Sequence, residues 1–514
     1  MKWIPHLRLF SSSSVYTLLL WGVLSPAAWA QDLASFEKAV TEFTLDNGMH
    51  FIVLERHNAP VASFNTYANV GSADDPSGLT GLAHMFEHMA FKGTPKIGSK
   101  DYAEEQRALD AVDQAYSALQ GERRKGPGSD EKQLTELQQQ FDQAAEEAAK
   151  LANSSEYTRI IEENGGTGLN AGTSLDATVY YNRLPSNRTE LWFYLESERF
   201  LRPVFRDFYK ERNVVREERR MRTESNPLGR MIEAFLAAAY QAHPYGRPGV
   251  GWASDINTLS VEDARQFSEK YYGPGNLTIA IAGDVDPKQM RQWAEIYFGR
   301  LPKRPLPPSV QTQEPEQHGE RRIEVTSESQ PAVIVGYKKP SHDHADRAVF
   351  DVISSVLSSG RTSWLYKDLV RDKQIALFAG GFPNFPGSKY TSLFLFFALP
   401  TAGHTVAENE QAMYEVIERM KNEQVDEATL EMVKTKARAS LIQQLDSTAG
   451  LASQLTSNHA NFGDWRQMFR QLDEIKRVTA DDVQRVAKEY FRRDKRTVTY
   501  SVKPEQDDAA AGAE

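Results

Sequence analysis

Alternation of apolar and polar positions marks the first ordered stretch of the chain. Residues 40–55 read VTEFTLDNGMHFIVLE, two runs of period near two around Asp46-Asn47-Gly48, and this predicts a β-hairpin. A third strand is predicted at 63–70, SFNTYANV, ending at Gly71. A polar loop over 72–78 then leads into a helical segment, so strand, loop and helix follow one another and place that helix near a sheet edge. From 101 to 151 the period lengthens. Leu109, Val112, Tyr116 and Leu119, then Leu134, Leu137, Phe141, Ala145, Ala148 and Leu151, recur at helical spacing, and KGPGSD at 125–130 breaks the run. This predicts an αα-hairpin. Helices follow at 190–200, at 207–224 and after Ser260, with a strand at 277–282. Residues 299–319 hold Pro302, Pro305, Pro307, Pro308 and Pro315 and read as a linker. Beyond it the opening pattern returns, with a strand at 332–337 and a helix at 346–357. The expected fold class is α+β, with two similar halves at 31–298 and 320–503, each a mixed sheet covered by helices.

Chemistry concentrates in one helical stretch, GLAHMFEHMAFKGT at 81–94. On a helix His84 and His88 lie one turn apart on one face, and Glu87 shares that face. Two imidazoles converging on one ion, with a carboxylate beside them, are what metal-assisted hydrolysis requires: the ion acidifies a water and the carboxylate takes its proton. The order is HxxEH, the reverse of the commoner HExxH. Two His and a Glu could also be an accidental polar face, but Gly81-Leu82-Ala83 before and Phe91-Lys92-Gly93-Thr94 after are not surface-helix filler. The chain has no cysteine, so a metal site has to be built from His and carboxylates.

Composition adds a compartment and removes some partners. Residues 1–30 read as a secretory signal peptide: Lys2 and Arg8, the apolar run VYTLLLWGVL, and Ala28-Trp29-Ala30 as cleavage site. A retained anchor is the alternative. Removing the signal leaves 58 Lys and Arg against 70 Asp and Glu, which speaks against nucleic acid as a partner. Export predicts a periplasmic protein with no membrane span after signal removal. The tail at 504–514, with Asp507-Asp508 and an Ala-rich end, is expected to be disordered.

Phe43-Thr44-Leu45-Asp46-Asn47-Gly48, Ala59-Pro60, Val70-Gly71-Ser72 and GLTGLAHMFEHMAFKGT together resemble the opening of the pitrilysin and insulinase class of zinc peptidases, which includes the mitochondrial processing peptidases and bacterial relatives. The resemblance is dense from 43 to 287. It implies two homologous halves closing like a clam, with only the first keeping metal, and it makes the αα-hairpin at 101–151 an insertion. ERNVVREE, 211–218, matches the family's second motif. The resemblance then makes His84, His88 and Glu218 the ligands of one Zn²⁺ per chain, Glu87 the general base and Glu211 a supporting carboxylate. Composition alone reads 211–218 as a solvated charge run and does not choose Glu218 over Glu217. GGTGLNAGTSLDATVYY, 165–181, resembles the edge strand that pairs with substrate, so Asn170, Ala171 and Thr173 would line an extended peptide. Without the family it reads as a Gly-rich turn entering a strand. His243 is expected to be structural, and His342-Asp343-His344 a loop before a helix.

Where active relatives carry an Arg and a Tyr that assist the transition state, this chain has Trp364 and Leu377. The implied function is a zinc metalloendopeptidase acting on short or unfolded peptides, with a homologous partner subunit, in a heterodimer or homodimer, supplying the missing pair. Arg361 or Tyr366 substituting for it is the weaker alternative. A non-catalytic peptide-binding or assembly-stabilising subunit is the reading from another class.

Overall fold

Strand β3, Val61–Ala68, lies inside the larger sheet and shows how the two halves meet. Successive side chains of a strand point to opposite faces. On one face Phe64 stacks on Trp192 at 4.3 Å between ring centroids, and Thr66 donates to the Glu196 carboxylate at 2.7 Å. On the other, Ser63 and Asn65 bond the hydroxyls of Thr448 and Thr456 at 2.7 and 2.8 Å. One face is therefore covered by helices of its own half, and the other by the helix Thr448–Phe462 from the far end of the chain.

The computed structural model describes residues 36–504. Residues 41–514 form one compact unit, described as far as residue 504. The signal peptide expected at 1–30, and 505–514 of the expected tail, lie outside the described residues. In the first half β1 (Val40–Thr44), β2 (His50–Glu55), β3, β4 (Thr167–Thr173), β5 (Thr178–Pro185) and β6 (Leu277–Gly283) form a sheet of order β1-β2-β6-β3-β5-β4. In the second, β7 (Arg321–Thr326), β8 (Val333–Lys339), β9 (Ala376–Phe385), β10 (Ser392–Pro400) and β11 (Arg496–Val502) are ordered β7-β11-β8-β10-β9.

Setting β2 to β6 against β7 to β11 one for one reproduces every pairing. β2 runs parallel to β6 as β7 does to β11, and the other neighbours among β2 to β11 are antiparallel in both sheets. The expected α+β duplication is the observed topology. Covering on both faces also explains why β2 and β6 read as apolar runs: all seven residues of β6 are buried.

The exchange is reciprocal. The first half's helix Pro227–Ala239 lies on the second sheet, where β8 passes so close that a Cβ on Gly336 would meet the Phe235 ring at 2.5 Å. The αα-hairpin forms as Tyr102–Arg123 and Glu131–Leu151, each started by an Asp side chain accepting first-turn N–H bonds. Residues 302–318 have no regular structure but are tied down. The Glu314 carboxylate accepts from the backbone N–H groups of Gln241, Ala242 and His243, and Gln317 donates to the Arg496 carbonyl at 2.7 Å. Among the described residues, no helix is long and apolar enough to cross a membrane.

Candidate metal centre

The HxxEH segment forms the helix Leu82–Met89. Its start is built from backbone and one acid. Asp75, buried, accepts from the N–H groups of Gly81 and Ala83, both at 2.8 Å, and burial pushes its carboxyl up to about 8. Gly81 has φ of 91° and lies against the backbone of Val250, whose oxygen a Cβ would meet at 2.6 Å, so glycine is required there. His84, Met85 and Phe86 are buried, and the helix is fixed from its first turn.

The second element is the helix Phe208–Arg219, continued by a wider π-turn over Arg220–Glu224. Buried arginines anchor it. Arg212 donates to the Leu259 carbonyl at 2.9 Å, and Arg219 to the Gly251 carbonyl at 2.8 Å. Arg206, just before it, is fully buried. It binds the Glu105 carboxylate and donates to the carbonyls of Lys92, Thr94 and Ile97, so the αα-hairpin is joined to the loop that follows the HxxEH helix.

These elements bring His84, His88 and Glu218 together. One ligand atom from each lies within 4.8 Å of the other two, and Glu218 Oε2 is 3.5 Å from Nε2 of both histidines. The imidazole planes are nearly perpendicular, at 88°. Glu218, not Glu217, faces the histidines; Glu217 pairs with Arg220. Arg222 holds the other Glu218 oxygen at 2.7 Å. Glu211 lies behind His88, 3.4 Å from Nδ1, and also accepts from Lys92.

The charges suit a cation. Burial works to lower His88, but its hydrogen bonds to Glu211 and Glu218 outweigh this and raise it to about 9. Burial lowers His84 to about 4, leaving it neutral as a ligand must be. Glu211 is lowered to about 2, because His88 and Lys92 overcome the effect of burial. Two imidazoles facing one carboxylate, with a second carboxylate behind His88, are a donor set that fits a divalent ion bound by two His and one Glu.

Glu87 lies beside this group, and burial raises its carboxyl. It accepts from the Thr173 hydroxyl at 2.6 Å. Thr173 ends β4, which pairs with β5 on one side only, Asn170 opposite Tyr181 and Thr173 opposite Thr178, and forms the sheet edge. The structure thus places Asn170, Ala171 and Thr173 on an open edge next to Glu87, with the Thr173 side chain turned to Glu87 rather than free to line a peptide. Asn170 Oδ1 accepts from the Ala171 N–H.

Lys92, Arg206, Glu105 and Arg222 were not legible as site residues. Only Lys92, inside the motif run, carried any sequence signal. Trp364 is buried in the second core with the Arg419 guanidinium over its ring at 4.3 Å, and Leu377 is exposed on β9. Among the described residues, no hydrogen bond or ion pair joins Arg361 or Tyr366 to the His84–Glu218 group. His243 is buried elsewhere, its Nδ1 accepting from the Tyr245 N–H.

Comparison with known proteins agrees with this division. Residues 51–120 and 142–251 match the insulinase family, peptidase family M16, and residues 258–437 match the domain described as peptidase M16 inactive domain. Zinc protease PqqE of Helicobacter pylori is 27% identical over 98% of this chain and its own full length. An uncharacterised zinc protease of Mycobacterium bovis is 25% identical over 88% of this chain and 90% of its own. Among solved structures, a protease from Helicobacter pylori superposes with a TM-score of 0.76 at 24% identity, covering 90% of this chain and 99% of that one. The periplasmic protease PqqL from Escherichia coli superposes at 0.67 and 16% identity, covering 91% of this chain and 48% of that protein. With the metal-type site in the half matched by the first model and none in the half matched by the second, the chain belongs to the pitrilysin and insulinase family of peptidases, family M16.

Proposed function

We propose that this chain is an exported zinc metalloendopeptidase that cleaves short or unfolded peptides and works with a homologous partner subunit. The observation that carries it is the convergence of His84, His88 and Glu218 within 4.8 Å, beside a Glu87 held by the last residue of an open sheet edge. Zinc held by these three residues, one per chain, would supply the Lewis acid that acidifies a water and polarises the scissile carbonyl. Glu87 takes the proton of the attacking water and delivers it to the leaving amine. Burial raises its affinity for that proton toward the working range of a general base. Glu211 fixes the His88 ring through Nδ1. An extended peptide adds as a strand to β4, which selects unfolded chains because only exposed main chain can pair with an edge.

The partner follows from Trp364. A buried tryptophan under Arg419 has no group to offer a substrate carbonyl, and Leu377 has none either. Loss of two such donors costs several kcal/mol of transition-state stabilisation, on the order of 10²–10³ in rate for each. PqqL is about twice the length this chain covers, and its first half has been solved separately. A second homologous unit is therefore a natural source of the missing pair. The alternative, a peptide-binding or assembly subunit without catalysis, rests on the same two positions.

Zinc content and hydrolysis of an unstructured peptide mixture, measured on the mature chain alone and with a homologous partner, separate these readings. One zinc, activity only with partner, and loss of activity without loss of zinc in Glu87→Gln are expected. Activity of the chain alone would sink the partner requirement, and a partnered complex with zinc but no Glu87-dependent hydrolysis would leave the non-catalytic subunit.

A further inference from the structure

The duplication brings two equivalent hairpin tips together. β4 and β5 of the first half are joined by residues 174–177, and their counterparts β9 and β10 of the second by residues 386–391. Asp176, on the first tip, is held by donors from the second: its Oδ2 accepts from the backbone N–H groups of Ser388 at 2.7 Å and Lys389 at 3.2 Å. Its Oδ1 accepts from the Tyr245 hydroxyl, and that buried oxygen accepts in turn from the Tyr390 N–H at 3.3 Å. The Lys389 ammonium donates to Asn69 Oδ1, just beyond β3, at 2.8 Å. At Gly387 a Cβ would meet Tyr245 Oη at 2.6 Å and Asp176 Oδ2 at 2.7 Å, so the tips touch with no room for a side chain.

This clasp is a minor part of the joining of the halves, because the helices Thr448–Phe462 and Pro227–Ala239 already lie on the opposite sheets. What it fixes is β4. That strand has a ladder on one side only, its register slips between Thr167 and Asn170, and it contains Gly168 and Gly172, so its own pairing holds it weakly. Its last residue, Thr173, bonds Glu87, and the tip that follows is gripped from two sides. The N–H groups of Ser72 and Ala73 donate to the carbonyls of Ser174 and Leu175, both at 3.0 Å, and the second half takes Asp176. A carboxylate accepting main-chain N–H bonds makes a stronger contact than a neutral acceptor does. Through one acid, the second half thus reaches the turn that follows directly on the hydroxyl holding Glu87.

We propose that Asp176 is a positioning residue, through which the second half sets the stance of the β4 edge relative to Glu87. The proposal rests on the peptidase reading and gives the second half a part in it: a peptide strand added to β4 meets the metal centre in the right place because the tips are clasped.

The test uses the full mature chain, loaded with zinc. Asp176→Ala removes the acceptor from the first tip, Gly387→Ala forces the tips apart from the second, and Asp176→Asn keeps an acceptor of the same shape. Amide hydrogen exchange needs no activity. Residues 167–178 should exchange about tenfold faster or more in Asp176→Ala, while Leu82–Met89 and Thr448–Phe462 keep their protection and zinc stays bound. With the homologous partner and a fluorogenic unstructured peptide, kcat should fall by about tenfold or more with a smaller change in KM, and Asp176→Asn should recover most of the loss. Gly387→Ala should match Asp176→Ala, and the double variant should be no worse than either single. Unchanged exchange at 167–178, loosening that spreads equally to Thr448–Phe462, singles whose effects multiply, or parental kcat despite faster exchange would each overturn the proposal. A parent complex that cleaves nothing would instead sink the peptidase reading, and exchange alone would then decide whether the second half fixes β4.

Discussion

Replacing Glu105 by leucine removes one member of a pair whose side chains are at most 1% exposed. The Arg206 guanidinium cannot shed its charge. In Glu105→Leu it would stay in the interior with only carbonyl oxygens as partners: Lys92 at 2.8 Å, Ile97 at 2.9 Å and Thr94 at 2.7 Å. Stranding a buried charge in this way costs about 3–5 kcal/mol. Glu105→Gln keeps an acceptor of the same shape and loses only the charge assistance, about 1.5–3 kcal/mol. Guanidinium unfolding followed by tryptophan fluorescence measures both. The decisive comparison is a cycle with Arg206→Met, which removes the charge that Glu105→Leu would strand. The double variant should therefore be less destabilised than the sum of the singles by about 2 kcal/mol or more. Because Arg206 holds the carbonyl of Lys92, and Lys92 holds Glu211, Glu105→Leu should also weaken zinc binding. Singles that add without coupling, or a Glu105→Leu midpoint within about 1 kcal/mol of the parent chain, would refute the account of the αα-hairpin as an anchor for the metal helix.

Three further outcomes are expected. Glu211→Gln should weaken zinc by about 10–100-fold, read by competition with a chromogenic chelator, because His88 Nδ1 loses its charged acceptor. Thr456→Val should destabilise by about 1–3 kcal/mol, since it leaves the buried Asn65 Oδ1 without its donor, whereas Thr456→Ser should cost far less. For pH, burial works to raise Glu314, but three backbone N–H groups and Lys338 outweigh it, so its folded-state pKa lies below the ordinary 4.5. The stability it contributes is present above that ordinary value and lost as pH falls through the lower, folded one. Stability curves from pH 6 to pH 3 should therefore be shallower in Glu314→Gln, and equal slopes would remove Glu314 from the acid response.

The strands and helices near the site were legible because each carries one period. VTEFTLDNGMHFIVLE, the HxxEH helix and the αα-hairpin all form within a few residues of their expected limits. The contacts that bind them together were not legible. Glu105 reads as one more acid on a charged helix, and Arg206 as one more base before another; only the fold brings residues 101 positions apart together in a dry pocket. Periodicity also predicts burial without saying what does the burying. SFNTYANV alternates, but its polar face meets Thr448, Thr456 and Asn461 rather than water. The choice of Glu218 over Glu217 comes from the family pattern. In physical terms it is settled by helix phase: Glu217 points out to Arg220, and Glu218 points to both histidines.

The duplication explains what the second half contributes. Every side chain at the metal-type site comes from the first half. The helix Arg347–Ser358 stands where the HxxEH helix stands, between the corresponding strands, but its buried positions are Val349, Phe350, Val352, Ile353, Val356 and Leu357. Core packing has taken the place of ligands. Trp364 lies in that same core beneath Arg419. Yet the second half cannot be dispensed with. Without Thr448–Phe462 the face of β3 bearing Ser63, Asn65 and Tyr67 would lose its cover, and the sheet that carries the open β4 edge would lose support on one side. The second half thus supports the site through its helix. On the proposed reading, the groups that complete it have to come from another chain.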